Sequence, residues 1–178
     1  IAPLVDLPGV GANLQNHVDI APRYACTAPV TLHDLLRAER ILPAMAQAWA
    51  FGTGPATRFP GEVAAFMRSD PTETRPDLLC HLVEGQGISG IRWPFARASR
   101  DALDREGFSC RIMLLTPESR GTVALRSGDP RDPPRVCFDF LSHPSEMQRL
   151  IAGVRRMRDV FAARAFDALR GEEIEPGP

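Results

Sequence analysis

The sequence predicts an α+β fold: an antiparallel sheet of about five or six strands with helices packed on one face. Three observations carry this. Short apolar runs bounded by Gly, Pro, Asp and Ser recur through the middle of the chain. Helix-period patterns lie towards the two ends and do not alternate with the strands, as a parallel sheet would need. The stretch SGDPRDPPR, 127–135, is a turn-rich connection between two apolar runs.

The elements follow in order. VDIAPRYAC, 18–26, reads as an extended segment interrupted by Pro22. Thr31 opens a helix, with Asp34 where a capping box wants an acid and with Leu32, Leu35 and Leu36 as its apolar face. Pro43 is costly inside a helix, so a second helix is expected to begin there and run to about Phe51. FGTGPATRFPG, 51–61, is a loop. Strands are expected at 62–68, 77–84, 108–116, 121–126 and 136–140, with DLLCHLVE apolar on both faces and hence central. Residues 85–107 form a long connection with a short helix expected at 98–106, and loops of such length are often functional. Ser142 or His143 caps a final helix over 144–162, with Pro144 in its first turn. Leu150, Ile151, Val154, Met157, Val160 and Phe161 form its stripe, while Glu146 and Asp159 balance the arginines of its other faces.

The 178 residues suit one domain or slightly more, and 44% hydrophobic residues suffice for a core. A net charge of −1 argues against a nucleic-acid surface. No apolar run reaches the roughly 18 residues of a membrane span, and no signal peptide is visible. The chain begins with Ile and reads as an excised piece, with a cytoplasmic location expected. All 21 basic residues are Arg, scattered rather than clustered, and the absence of Lys excludes Schiff-base chemistry within the chain. Cys26, Cys80, Cys110 and Cys137 form no C-x-x-C pair and read as reduced thiols, and no metal site is expected.

The opening LPGVGANLQNH, 7–17, invites comparison with a dinucleotide-binding loop. Gly9 and Gly11 supply two glycines of G-x-G-x-x-G, but the third position is Leu14, and Asn13, Asn16 and His17 are poor helix formers. The stretch is therefore not a phosphate cradle. No catalytic triad assembles either. Ser89 lacks the second glycine of a nucleophile elbow, so a hydrolase using Ser89 or Ser119 with His81 is a weak alternative. His33 and His143 sit at helix starts. His81 lies mid-strand among apolar neighbours, either as a satisfied core histidine or as a pocket-lining donor. Glu84 reads as a solvated strand end, or as a carboxylate for a cationic substrate.

Five stretches in order resemble the glucose-methanol-choline (GMC) oxidoreductases, closest to the choline and alcohol dehydrogenase branch. They are VDLPGVGANLQNH (5–17), GPATRFPGEVAAFMRSDP (54–71), RPDLLCHLVEG (75–85), the pair LLTPESRGTVALRSGDPRDPPRV (114–136) and FLSHPSEMQRLIAGVRRMRDVFA (140–162), and RGEEIEPGP (170–178). The resemblance implies a flavin-lid-like segment at 1–17 and a substrate-binding domain at 18–178, a fragment of a longer FAD-dependent enzyme. It makes Gly9 and Gly11 turn residues, and it places Asn13, Leu14, Gln15, Asn16 and His17 near the cofactor. The commoner residue at position 16 is Asp, so Asn16 keeps an acceptor and loses the charge. The resemblance also assigns Leu79, His81 and Val83 to the flavin-facing, uncovered side of the central strand, with helix 144–162 packed elsewhere on the sheet. It puts the catalytic histidine outside the chain, so no catalytic residue is expected here. For the parent it implies oxidation of an alcohol by hydride transfer to flavin. By itself the piece is expected to bind no FAD, to be inactive and to self-associate through faces the parent covers. A lid without its floor has few contacts, so residues 1–17 are expected to lie in a position unrelated to their family role, or to lean on a neighbouring molecule. A free-standing small-molecule-binding module without redox work is the alternative.

Overall fold

The chain was analysed as a computed structural model that describes residues 4–58, 61, 63–87, 90–94 and 105–177. Among these residues eight strands form: β1 (Asp19–Ile20), β2 (Arg23–Cys26), β3 (Val63–Met67), β4 (Leu78–Val83), β5 (Gly107–Leu114), β6 (Thr122–Ala124), β7 (Arg135–Cys137) and β8 (Arg170–Glu175). The main sheet has six strands in the order β3-β4-β5-β2-β8, with β1 also paired to β5, and every pairing is antiparallel. This is the expected α+β architecture. β1 and β2 are one strand line broken at Pro22, which has no N–H for a ladder. Its buried carbonyl still accepts from the Cys110 N–H at 3.1 Å.

The sheet is covered on one face by α3 (Pro144–Phe161). Leu78 and Cys80 of β4, Ile112 and Leu114 of β5, and Leu150, Val154, Met157 and Phe161 of α3 form the buried core. Gly153 lets the helix sit this close, because a Cβ there would fall 2.7 Å from Ile112 Cγ2 and 3.0 Å from Leu78 Cδ1. Cys80 and Cys110 share this face as free thiols, and the neighbouring Cys80 sulfur and burial push Cys110 up. The opposite face of β4 carries Leu79, His81 and Val83, each only half-buried. Helix α3 thus packs against the other side of the strand, as expected.

Several local expectations need correction. Thr31 does cap α1 (Leu32–Leu35), its hydroxyl accepting from the His33 N–H at 3.3 Å. Asp34 does not close a capping box, because its carboxylate is taken by Arg40. Glu106 from across the fold receives the Thr31 N–H at 3.3 Å and the Thr31 hydroxyl at 2.6 Å instead. The second helix, α2 (Ala38–Phe51), starts five residues before Pro43 and runs through it. The proline removes one helical hydrogen bond, but the helix start is tied down by Ala38 N–H to the Arg92 carbonyl at 2.8 Å. Ile41 and Ala44 are buried, and Gly52 closes the far end in the left-handed region.

The β6–β7 hairpin stands apart from the main sheet and is shorter than expected. Asp139 and Leu141 at positive φ (51° and 58°) end any extension of β7. β8, read from the sequence only as a leading segment, is an edge strand paired to β2. Glu146, expected on the solvent face of the last helix, is fully buried. Ser89 and nearly all of the short helix expected at 98–106 lie outside the described residues. Among the described residues, no helix is long and apolar enough to cross a membrane, and no cluster of His, Cys, Asp or Glu suits a metal.

Candidate functional site

From Leu4 on, the described part of the opening segment runs back against the β6–β7 hairpin. A turn closes through Val10 N–H to the Leu7 carbonyl (3.0 Å) and Ala12 N–H to the Gly9 carbonyl (3.2 Å). Leu14 and Gly121 then exchange both backbone hydrogen bonds, at 2.9 and 2.8 Å, and Val123 N–H donates to the Gly11 carbonyl at 2.7 Å. Gly11, at φ +79°, is the glycine this approach requires, because a Cβ would sit 2.0 Å from the Val123 carbonyl oxygen. Gly9 has open space around it and no positive φ, so the requirement falls on one glycine of the pair. Main-chain pairing offsets the entropy of ordering the segment, which the sequence reading had set against it.

The five residues expected near the cofactor are placed as follows. Asn13 takes a positive φ of 58° and is exposed. Leu14 is half-buried in the bridge to Gly121. The Gln15 carboxamide oxygen, in its hydrogen-bonding orientation, accepts from Arg120 Nε and Nη2 at 3.2 and 3.1 Å. Asn16 is exposed. His17 places Nδ1 at 2.8 Å from the Leu114 carbonyl; a carbonyl only accepts, so Nδ1–H donates and Nε2 is left as the acceptor. Asn13, Asn16 and His17 thus offer side-chain hydrogen-bonding groups to solvent. Nothing in the row resembles a pyrophosphate cradle, since Leu14 is engaged with the hairpin. The residues suit edge contacts to a flat polar ring system such as a flavin, and do not suit the dinucleotide phosphates.

The open face of the sheet is the second half of the site. Registers put Leu79 beside Phe66 and Met113, His81 beside Ala64 and Arg111, and Val83 beside Ser109. His81 Nε2 is engaged by the Gly61 carbonyl, so it is a satisfied histidine that also borders the open face. Arg111, overlooked in the sequence, brings a cation to this face and is neutralised by Asp19, with Nε at 2.7 Å from the carboxylate. The opening segment joins the sheet at Leu114, opposite Leu78. Val83 lies five residues further along β4, roughly 16 Å away at strand rise. Of the three strand residues, Leu79 is the one next in sequence to that junction. Beyond Val83, Glu84 is exposed at the rim of a cleft of about 520 Å³ lined also by Thr31, Asp34 and Arg40.

Nor did the sequence point to the part taken by Glu146. Its Oε1 accepts the Glu118 and Ser119 N–H groups at 2.7 and 2.8 Å, and its Oε2 accepts the Ser119 hydroxyl at 2.5 Å. Burial pushes this carboxyl up, but the Ser119 and Glu118 hydrogen bonds outweigh it and hold it below its ordinary value. The available signal was an acid at the third position after a Pro-initiated helix start, which reads equally well as a helix-dipole partner.

Comparison with known proteins agrees with this architecture. Residues 117–178 match the GMC oxidoreductase family model for the C-terminal domain. The chain is 33% identical over 180 residues to an oxygen-dependent choline dehydrogenase of Ectopseudomonas mendocina, covering 99% of this chain and 30% of that protein. It is 36% identical over 176 residues to the Sinorhizobium fredii protein of the same name, covering 97% of this chain and 30% of that one. The chain thus spans about 30% of the length of these relatives. Among solved structures, an Aspergillus oryzae RIB40 formate oxidase superposes with a TM-score of 0.79 at 20% identity, over 98% of this chain and 34% of that one. Pyridoxine 4-oxidase from Mesorbium loti gives 0.71 at 20% identity, over 98% and 29%. At those identities the structures speak to fold alone. Residues 117–178 are thus similar to the C-terminal domain of the GMC oxidoreductases, and the chain as a whole is similar to a part of these choline dehydrogenases.

Proposed function

We propose that this chain is the substrate-binding portion of a flavin-dependent oxidoreductase that oxidises an alcohol, with residues up to 17 forming a lid against FAD and 18–178 forming the substrate domain. The observation that carries the reading is the lid itself: an exposed hydrogen-bonding row fixed by main-chain pairing to the hairpin of the family-matched domain. FAD, when bound, supplies the hydride acceptor. The chain's own residues would do the rest. Asn13, Asn16 and His17 would offer hydrogen bonds to the ring edge. Leu79, His81 and Val83 would form an apolar wall with one polar atom, excluding water from the reacting carbon. Choline, named for the relatives, is the first substrate to try. The test is the gene product at natural length, mixed with choline and a panel of small alcohols while the visible flavin absorbance is followed. Bleaching with one alcohol is expected; a chain that carries no flavin, or a flavin that no alcohol bleaches, overturns the reading. A cytoplasmic, reducing compartment belongs to the same reading and is supported by the four free thiols.

Self-association of the 178-residue piece is part of the proposal. Leu42, Met45 and Trp49 are 48%, 52% and 91% exposed at helical spacing along α2, a stripe that solvent does not favour. Sedimentation of the isolated chain is expected to show a concentration-dependent dimer, weakened in Trp49→Glu. A monomer at all concentrations argues against it.

A further inference from the structure

We propose that Glu146 is a positioning residue that holds the lid segment in place from the first turn of α3. The inference rests on the lid reading above and assigns a role to a residue within it. A carboxylate with no exposed surface is expensive to bury unless it is fully hydrogen-bonded. Three hydrogen bonds from Glu118 and Ser119 converge on it, and the Leu141 N–H adds to them from the other side of the helix start. Ser119 is itself buried, and its hydroxyl oxygen also accepts from the Ser142 hydroxyl at 3.0 Å and the His143 N–H at 3.3 Å. The strap that begins at this knot continues directly through Arg120, Gly121 and Val123. Those three residues are the ones that hold Gln15, Leu14 and Gly11. The lid has few other anchors among the described residues, chiefly His17 to the Leu114 carbonyl. The position of the lid is thus set by α3, through one buried carboxylate and one short strap. A carboxylate is suited to this, because charge-assisted bonds are stronger than neutral ones and an anion at a helix N-terminus is favoured by the helix dipole.

The test is amide hydrogen exchange in the natural-length, flavin-loaded protein. In Glu146→Gln, exchange at Leu14, Gly121 and Val123 is expected to speed up about tenfold, while Cys80 and Ile112 in the sheet keep their protection. Ser119→Ala, which removes one donor and keeps the backbone bonds, is expected to speed the same three amides by about threefold. It also decides the matter should the first variant fail to fold. Unchanged exchange at these three amides, which join the lid to its strap, in either folded variant overturns the proposal. Equal acceleration at Cys80 and Ile112 overturns it as well, because Glu146 would then serve global stability only. Quenching of the bound flavin by iodide separates the two readings. Looser lid amides with easier quenching support both. Looser lid amides with unchanged quenching support the positioning role and sink the assignment of the segment as a flavin lid.

Discussion

Phe161→Ala is expected to cost about 3–5 kcal/mol. The side chain is 1% exposed at the end of α3. Its ring lies 5.0 Å from Tyr24, 5.2 Å from Phe108 and 5.2 Å from Phe166, each edge-on. Edge-to-face pairs add to simple burial, and three of them converge here. The four rings come from β2, β5, α3 and the turn after it, so the cavity left by truncation has walls from four elements and collapses poorly. Urea denaturation read by helix ellipticity gives the number. The midpoint is expected to fall with the slope unchanged. A loss below about 1 kcal/mol would mean that the cluster relaxes around the gap and that α3 is held chiefly elsewhere.

That cluster also shows what the sequence disclosed and what it withheld. DLLCHLVE and FSCRIMLLT announce paired central strands because their apolar runs are too long for an exposed element. Pro144 and the helical stripe announce α3 to within a residue of its end. The stripe overstates burial, however: Ile151 and Val160 remain 42% and 41% exposed, because only part of a wide apolar face meets the sheet. β8 was not legible, since RGEEIE carries four charges in six residues and charged residues are poor strand formers. It is a strand because of what lies across from it. α2 was cut short because Pro43 is a local signal, whereas the bonds that rescue the helix, to Arg92 and into the core, are tertiary.

The candidate site divides the same way. Gly11 and the lid polar row stand out in sequence because glycines and amides cluster there, but their partner strand is more than a hundred residues away. No periodicity reports that pairing. Glu146 was misread for a related reason. Acids in the first turn of a helix usually face solvent, and only the fold brings Ser119 over this one. The alternation of β4 correctly separated Leu79, His81 and Val83 from the covered face, because the two-residue period of a strand depends on nothing distant.

Arg158→Met is expected to cost about 2 kcal/mol at neutral pH, and to do so through a carboxylate it leaves behind. Arg158 on α3 binds Glu173 of β8 by two bonds, Nε to Oε2 at 2.9 Å and Nη2 to Oε1 at 2.6 Å, and reaches the Gly177 carbonyl at 2.8 Å. Tyr24 of β2 donates its hydroxyl to the same Glu173 at 2.8 Å. The Glu173 side chain is only 13% exposed. Burial pushes it up, yet Arg158 and Tyr24 hold it below its ordinary value of 4.5. Its stabilising contribution is therefore present above pH 4.5 and is lost as the pH falls through the depressed folded value, so the difference between wild type and variant should close in acid. The alkaline side gives an independent check. Burial first, and the Glu173 carboxylate second, push Tyr24 from 10.0 up to about 12. The neutral phenol is the favoured form, so this contribution is intact below pH 10 and is lost as the pH rises towards 12. Tyr24 is the only tyrosine in the chain, and phenolate absorbance follows it without interference. Arg158 draws its ionisation down slightly, so the variant should titrate at or above the wild-type midpoint while folded. A midpoint near 10 in the wild type would show that the phenol is not held against Glu173, and the argument for an interior carboxylate locking β8 to α3 would go with it.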